Sequence, residues 1–375
     1  MKRVVIVQPY VPSYRVPLFT RLQARLLEKG VELVVAHGRP AKSQAARNDA
    51  VTLPFSEVVR TLQIYILGRH IRWKSVGRLV RCSDLVISEL ASGALENYWL
   101  AIRPHTRHGL WGHGFATTSG PNKLDSMLER WLMRRSDHTF FYTDKGGVVG
   151  AAAGLEPGKV TVLNNTVDTG GLAEAIKNVT AEEIEEFRST YDLGAGPCCA
   201  FVGGLDASKR IEFLLLAGAR LAQLVPGFQL IIAGDGAARQ EVVDAARDAA
   251  WLRYVGRVGD QQKAMIAATC ALLLNPGRVG LIAVDSFVME TPLVTTDWPF
   301  HGPEYDYLVH GESAVVTGNS LGEFVAGVAA TLDSPTTQRE LVAGCRESAT
   351  LYSLDAMVDR FLDGITQSLS APPGS

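Results

Sequence analysis

The sequence predicts an α/β chain made of two similar halves, each built on a parallel sheet. Short apolar runs alternate with helical patterns over most of the 375 residues. That alternation is the mark of βαβ units, which place ligands outside the carboxyl ends of the strands. The rhythm pauses after VLNNTVDT and starts again at CCAFVGG, and the length itself suits two domains of ~150 residues each.

The first series runs VVIVQ, PLFTRLQARLLEKG, VELVVAHG, LVIS, GLWGHG, HTFFYT and KVTVLNN; the second runs CCAFVGG, FQLIIAGDG, LRYVGRV, CALLLNPG, PLVTTD and SAVVT, with helices between. We expect a first domain over residues 1–168 and a second over 169–351. Residues 170–195 read as one surface helix and a Gly/Pro-rich connector. From Ser334 onward only helical patterns remain, and helix 352–370 is expected to pack back on the first domain ahead of a polar SAPPGS tail.

The N-terminus passes from two cations into a four-residue apolar run, too short for a secretory core and suited to a first buried strand. No stretch approaches the ~18 apolar residues of a spanning helix. Five cysteines (Cys82, Cys198, Cys199, Cys270 and Cys345) show no CxxC spacing, which points to reduced thiols in a cytoplasm and away from metal ligation. Residues 1–168 hold 23 Lys+Arg against 13 Asp+Glu, a balance of +10, while the remainder stands at −12. A basic first half suits an anionic lipid headgroup or a phosphorylated acceptor. Within it, residues 64–82 place Arg69, Arg72, Lys74, Arg78 and Arg81 among Ile71, Trp73, Val76, Leu79 and Val80, a spacing read as an amphipathic helix on an anionic membrane surface.

Four loops of the second half follow strands. FVGGLDASKR sets Gly203 and Gly204 ahead of Lys209 and Arg210, where backbone N–H groups and cations meet an anion. IIAGDGAARQ turns at Gly234 and Gly236 but has Arg239 at the third glycine position, so it is a weak dinucleotide fingerprint. YVGRV ends a strand at Gly256, with Arg257 and Val258 beyond. NPGRVGLIAVDSF combines Gly277, Arg278, Gly280 and Leu281 with one acid, Asp285, on an otherwise apolar helix. A buried carboxylate is costly unless bonded, and ribose hydroxyls are good donors to it. In the first half, LWGHGF sets His113 between Gly112 and Gly114, read as surroundings cleared for a ligand. The loop QPYVPSYRVPLF offers Tyr14 and Arg15 at a helix start. Asp-x-Asp and HExxH are missing, so metal catalysis lacks its parts.

In order and spacing, LWGHG, VLNNTVDT, FVGGLDASKR, IAGDG, YVGRV and PGRVGLIAVDSFVMETPLV with GPEYDYLVHGESAVV resemble the glycosyltransferase family 4 type. The resemblance implies the GT-B fold, two Rossmann-like domains with parallel sheets facing across a cleft. It makes Lys209 a diphosphate ligand, Gly280 and Leu281 backbone donors to the diphosphate, the YVGRV loop a base contact and Asp285 the ribose-holding acid. His113 would lie near the transferred sugar. The sequence departs where it has Gly277 for the family's first glutamate, Gly203-Gly204-Leu205 for Gly-Arg-Leu, and Arg210 after Lys209; Arg210 or Arg278 is the candidate to replace the missing arginine.

The expectation is therefore a metal-independent, cofactor-free, retaining glycosyltransferase. It would take a nucleotide sugar and a glycan or lipid-linked acceptor, have no nucleic-acid partner, and work in the cytoplasm or on the inner face of the membrane. A sugar-nucleotide epimerase or phosphorylase, and a non-catalytic binding protein of the same fold, are the alternatives, with a nicotinamide enzyme last.

Overall fold

A computed structural model describes residues 1–40, 49–66, 69–103, 106–114 and 123–370, the side chains of Ile66 and Arg69 excepted. Phe115 of LWGHGF, Leu67 and Gly68 of the basic segment, and the last five residues lie outside the described residues. The chain divides into two compact units, Met1–Asp168 with Leu354–Ser375, and Thr169–Ser353.

The first unit holds strands β1 (Lys2–Gln8), β2 (Val31–His37), β3 (Ser56–Val58), β6 (Leu85–Glu89), β7 (Arg107–Gly112), β8 (His138–Phe141) and β9 (Val160–Val162), in the order β3-β2-β1-β6-β7-β8-β9. Every pairing is parallel. Strands covered on both faces read as continuous apolar runs, and Val4, Val5, Ile6 and Val7 are all fully buried. Helix Val16–Glu28 lies on one face through Leu18, Phe19, Leu22 and Leu26. The same core takes Leu354, Met357, Phe361 and Ile365 from helix Leu354–Ser370.

The second unit holds β10 (Cys198–Val202), β11 (Gln229–Ala233), β12 (Leu252–Gly256), β13 (Leu272–Leu274), β14 (Leu293–Thr296) and β15 (Ala314–Thr317), in the order β12-β11-β10-β13-β14-β15, again parallel throughout. Both sheets reverse direction of growth beside their first strand, the doubly wound pattern whose ligand crevice opens at that switch point. In the first unit it lies between β1 and β6, and in the second between β10 and β13.

Two expectations are corrected. Residues 64–82 are not a helix: β4 (Thr61–Ile66) and β5 (Arg69–Lys74) form an antiparallel pair, and only Gly77–Arg81 is helical. The alternation His70-Ile71-Arg72-Trp73-Lys74 has period two as well as a loose helical spacing, and cross-strand pairing selects the former. Its cations divide: Arg78 and Arg81 are exposed, while Arg72 and Lys74 are drawn into ion pairs. Lys74 is buried in an ion pair with Glu96 at 2.8 Å, and Arg72 meets Glu89 at 2.7 Å. Residues 170–195 hold two helices, Gly170–Asn178 and Ala181–Thr190. The second starts at a capping box in which Thr180 and Glu183 satisfy each other's backbone N–H, a start signal inside the run.

Among the described residues no helix is long and apolar enough to cross a membrane.

Candidate active site

In the second unit the loops after β10 and β11 pack backbone to backbone. A Cβ on Gly234 would coincide with the Gly203 carbonyl, and one on Gly236 would strike the Leu205 carbonyl, so only glycine fits there. Asp206 caps the next turn, accepting from the Ser208 N–H at 2.8 Å. Lys209 follows, its Nζ donating to the Arg278 carbonyl. Burial lowers the Lys209 pKa, with Asp206 opposing, Arg278 adding to the fall and Glu304 opposing it.

Arg210 has left-handed backbone (φ 55°), and its guanidinium faces inward. Nη1 donates to Asn319 Oδ1 at 2.6 Å and to the Pro276 carbonyl at 3.1 Å, and the group lies 4.1 Å from the Phe213 ring centroid. Arg210 therefore ties the β10 loop to the β13 loop. Arg278 is half-buried, and its N–H donates to the Ser208 carbonyl at 2.8 Å.

The same closeness explains Gly277. A Cβ there would stand 2.5 Å from the Lys209 carbonyl carbon and the Ser208 oxygen. Contacts below 3.0 Å force movement, and here the obstacle is backbone on both counts. The β10 loop occupies the space where a glutamate side chain would begin.

Beyond Gly277, the Val279 N–H donates to His301 Nδ1 at 3.0 Å, so His301 carries its proton on Nε2 and donates it to the Thr296 carbonyl at 2.8 Å. Burial lowers the His301 pKa, in keeping with the neutral ring this bonding needs. The ring stacks on Tyr305 at 4.0 Å, and the Gly302 N–H closes on the Val279 carbonyl at 2.7 Å. Glu304 is buried, its Oε2 3.8 Å from the position a Cβ on Gly280 would take. Lys209, Gly280, His301 and Glu304 thus form one cluster at the carboxyl ends of β10, β13 and β14. His301 and Glu304 were missed as site residues; the quoted GPEYDYLVHGES contains Glu304, but no spacing rule links it to Gly280, 24 positions earlier.

Asp285 sits on helix Ile282–Val288 and is paired with Lys263 at 2.7 Å, both mostly buried. Burial raises its pKa and Lys263 opposes the rise. The pair satisfies the acid without a ligand while leaving its second oxygen as an acceptor. After β12, Arg257 is exposed and meets Asp235 at 3.2 Å, while Val258 packs on the second unit's core.

In the first unit His113 follows β7 and lies 4.3 Å from the Tyr142 ring. Its flanking glycines do not clear room for a ligand: a Cβ on Gly112 would meet Leu90 Cβ at 2.7 Å, and one on Gly114 would meet Phe141 at 2.8 Å. They are small because the core already fills that space. Tyr14 is exposed and Arg15 buried, together in the turn Ser13–Arg15 after β1.

Residues 196–334, the body of the second unit, match the family model described as glycosyl transferases group 1. The chain is 23% identical over 231 residues to glycogen synthase of Mycobacterium tuberculosis, covering 60% of this chain and 52% of the relative. It is 28% identical over 134 residues to phosphatidyl-myo-inositol mannosyltransferase of the same species, covering 33% and 35%. The chain thus spans about half the length of the glycogen synthase it matches. The crystal structure of Anabaena HepE in complex with UDP superposes with a TM-score of 0.67 at 13% identity, covering 98% of this chain and all of that one. The family 4 assignment is finer than these likenesses reach. The fold is thus the GT-B fold, and residues 196–334 are similar in sequence to the group 1 glycosyl transferases.

Proposed function

We propose that the protein transfers a sugar from a nucleotide sugar to an acceptor, with the donor held by the second domain. The observation that carries this is the cluster at the switch point of the second sheet, where half-buried, desolvated Lys209 stands over a loop of bare backbone at Gly277 and Gly280. A lysine desolvated among few acids is a ready partner for a diphosphate, and the Gly280 and Leu281 N–H groups add donors. UDP in the HepE structure supports a uridine donor.

When the bond from the sugar's anomeric carbon to the diphosphate oxygen breaks, negative charge grows on that oxygen. Fixed cations and backbone dipoles stabilise it in place of a divalent ion. Asp285 takes the ribose hydroxyls through the oxygen that Lys263 leaves free, and the Gly256–Val258 loop meets the base. His113 serves the sugar, and transfer proceeds with retention. The acceptor, a glycan or lipid-linked intermediate, belongs to the basic first domain, which works in the cytoplasm or against the inner membrane face. The mannosyltransferase relative, named for a phosphatidylinositol, supports a lipid acceptor.

Lys209→Ala tests the donor site. It should weaken UDP binding by ~1.5–3 kcal/mol, the range of a charge-assisted contact, with melting behaviour retained. Calorimetry showing equal affinity removes Lys209 from the site. The closure over Gly277 favours a second reading, a binding protein of this fold without transfer. Donor binding without turnover of any tested acceptor, and without hydrolysis, would support it.

A further inference from the structure

The first domain contains a buried cation that no acid pairs among the described residues. Arg15 stands at the switch point of its sheet, after β1, and is 6% exposed. Nη2 donates to Asn165 Oδ1 at 2.6 Å. The guanidinium carbon lies 5.1 Å from the Trp111 ring centroid, 5.3 Å from Tyr14 and 5.7 Å from Tyr142. Among the described residues Arg15 makes no ion pair, and Nη1 is buried with no hydrogen-bond partner. Trp111 Nε1, a group that only donates, is buried and unpartnered as well. Asn164 Oδ1 is an unpartnered acceptor beside them in the chain, on left-handed backbone at φ 53°.

Ring faces attract the guanidinium, but they accept little of its hydrogen bonding, and the asparagine is neutral. A buried donor without an acceptor is costly, and a buried charge more so. An unmet donor on a buried positive charge matches an oxyanion, which an arginine fork holds by two parallel bonds. Trp111, whose ring lies against the guanidinium, carries a second unmet donor, and Asn164, next in sequence to the Asn165 that Arg15 meets, carries an unmet acceptor that suits a hydroxyl. Tyr14, whose ring lies 5.3 Å from the guanidinium carbon, is 43% exposed and forms the solvent side of this cluster.

We infer that Arg15, with Trp111 and Asn164, forms an oxyanion-binding site in the first domain that takes the carboxylate or phosphate of an acidic, hydroxyl-bearing acceptor. The word acceptor rests on the glycosyltransferase reading; the oxyanion site does not.

The test uses the full chain with excess UDP, so that the second domain's cations are occupied. Inorganic phosphate, D-glucuronate and, as a neutral control, D-glucose are then added at matched ionic strength, and melting is followed. Phosphate or glucuronate should add a stabilisation that glucose does not. Arg15→Gln should weaken that binding at least about tenfold, and Arg15→Lys, which keeps the charge and loses the fork, should also weaken it. A preserved UDP shift in both variants shows that they fold. A response to phosphate alone assigns a phosphoryl acceptor, and one to glucuronate alone an acidic sugar. No added shift in the wild type, or an equal shift in Arg15→Gln, overturns the inference. A phosphate shift that UDP abolishes also overturns it, since the anion then sits at Lys209. If UDP itself gives no shift, the donor reading fails while the Arg15 comparison still decides the oxyanion site.

Discussion

Gly277 shows how one position can be read twice. As sequence it is a missing glutamate; as structure it is a point of contact, with Ser208 and Lys209 backbone 2.5 Å from any Cβ. A carboxylate missing from a loop leaves a vacancy, whereas here the space is closed by the segment carrying Lys209. Gly277→Ala should therefore push that segment away. We expect a loss of ~1–3 kcal/mol of stability, the cost of overpacking, together with weaker UDP binding. Chemical denaturation and calorimetry on the one variant check both, and an unchanged midpoint would show that the loop yields freely. The buried carboxylate of Glu304, close to Gly280 and within electrostatic reach of Lys209, is the acid that this arrangement does provide.

At the scale of elements, the β4–β5 pair changes the meaning of the basic segment. Leu62, Ile64 and Tyr65 are exposed on β4, while Lys74 at the end of β5 is among the most enclosed side chains of the first domain. Its Nζ and Glu96 Oε1 are 2.8 Å apart, each side chain 1% exposed. Removing one member of such a pair strands the other charge in low dielectric. Lys74→Ala should cost ~3–5 kcal/mol, measurable by urea unfolding. The double variant Lys74→Met with Glu96→Leu should recover most of it, because a well-packed apolar pair removes the desolvation penalty. A single variant as stable as the wild type would show that water reaches the pair. Arg78 is exposed at the surface, paired with Glu57 at 3.1 Å.

For the whole molecule, chain order and spatial order diverge at the last helix. Leu354–Ser370 comes after every strand of the second sheet, yet its apolar face belongs to the first core. Phe361 is fully buried, with ring centroids 5.1 Å from Trp111 and 4.9 Å from Phe140. Phe361→Ala should lower the stability of the first domain by ~3–5 kcal/mol, as large-to-small changes in a core do, while UDP affinity is retained by residues of the other domain. Trp fluorescence during unfolding reads the first effect and calorimetry the second. Loss of both in parallel would mean that the two domains fold only as one unit.

The amino-acid sequence by itself determined the α/β class, since buried parallel strands must be short apolar runs and their crossovers must be amphipathic. It determined the GT-B likeness through loops whose glycines and cations sit at strand ends. Loop composition was legible because it is local: Lys209, Gly280 and Leu281 lie within a few residues of the ends of β10 and β13. Tertiary structure alone decided what depends on distant neighbours. Whether residues 64–82 would form strands or a helix turned on cross-strand pairing and on Glu96, 22 positions from Lys74. Whether the glycines around His113 made room for a ligand turned on Leu90 and Phe141, which fill that room. Asp285 found Lys263 on another helix, Gly277 met the Ser208–Lys209 backbone, and Arg15 was enclosed by Tyr14, Trp111 and Tyr142 with no ion pair among the described residues. Periodicity reports which face of an element is apolar; only packing decides which charges end up paired and which are left for a ligand.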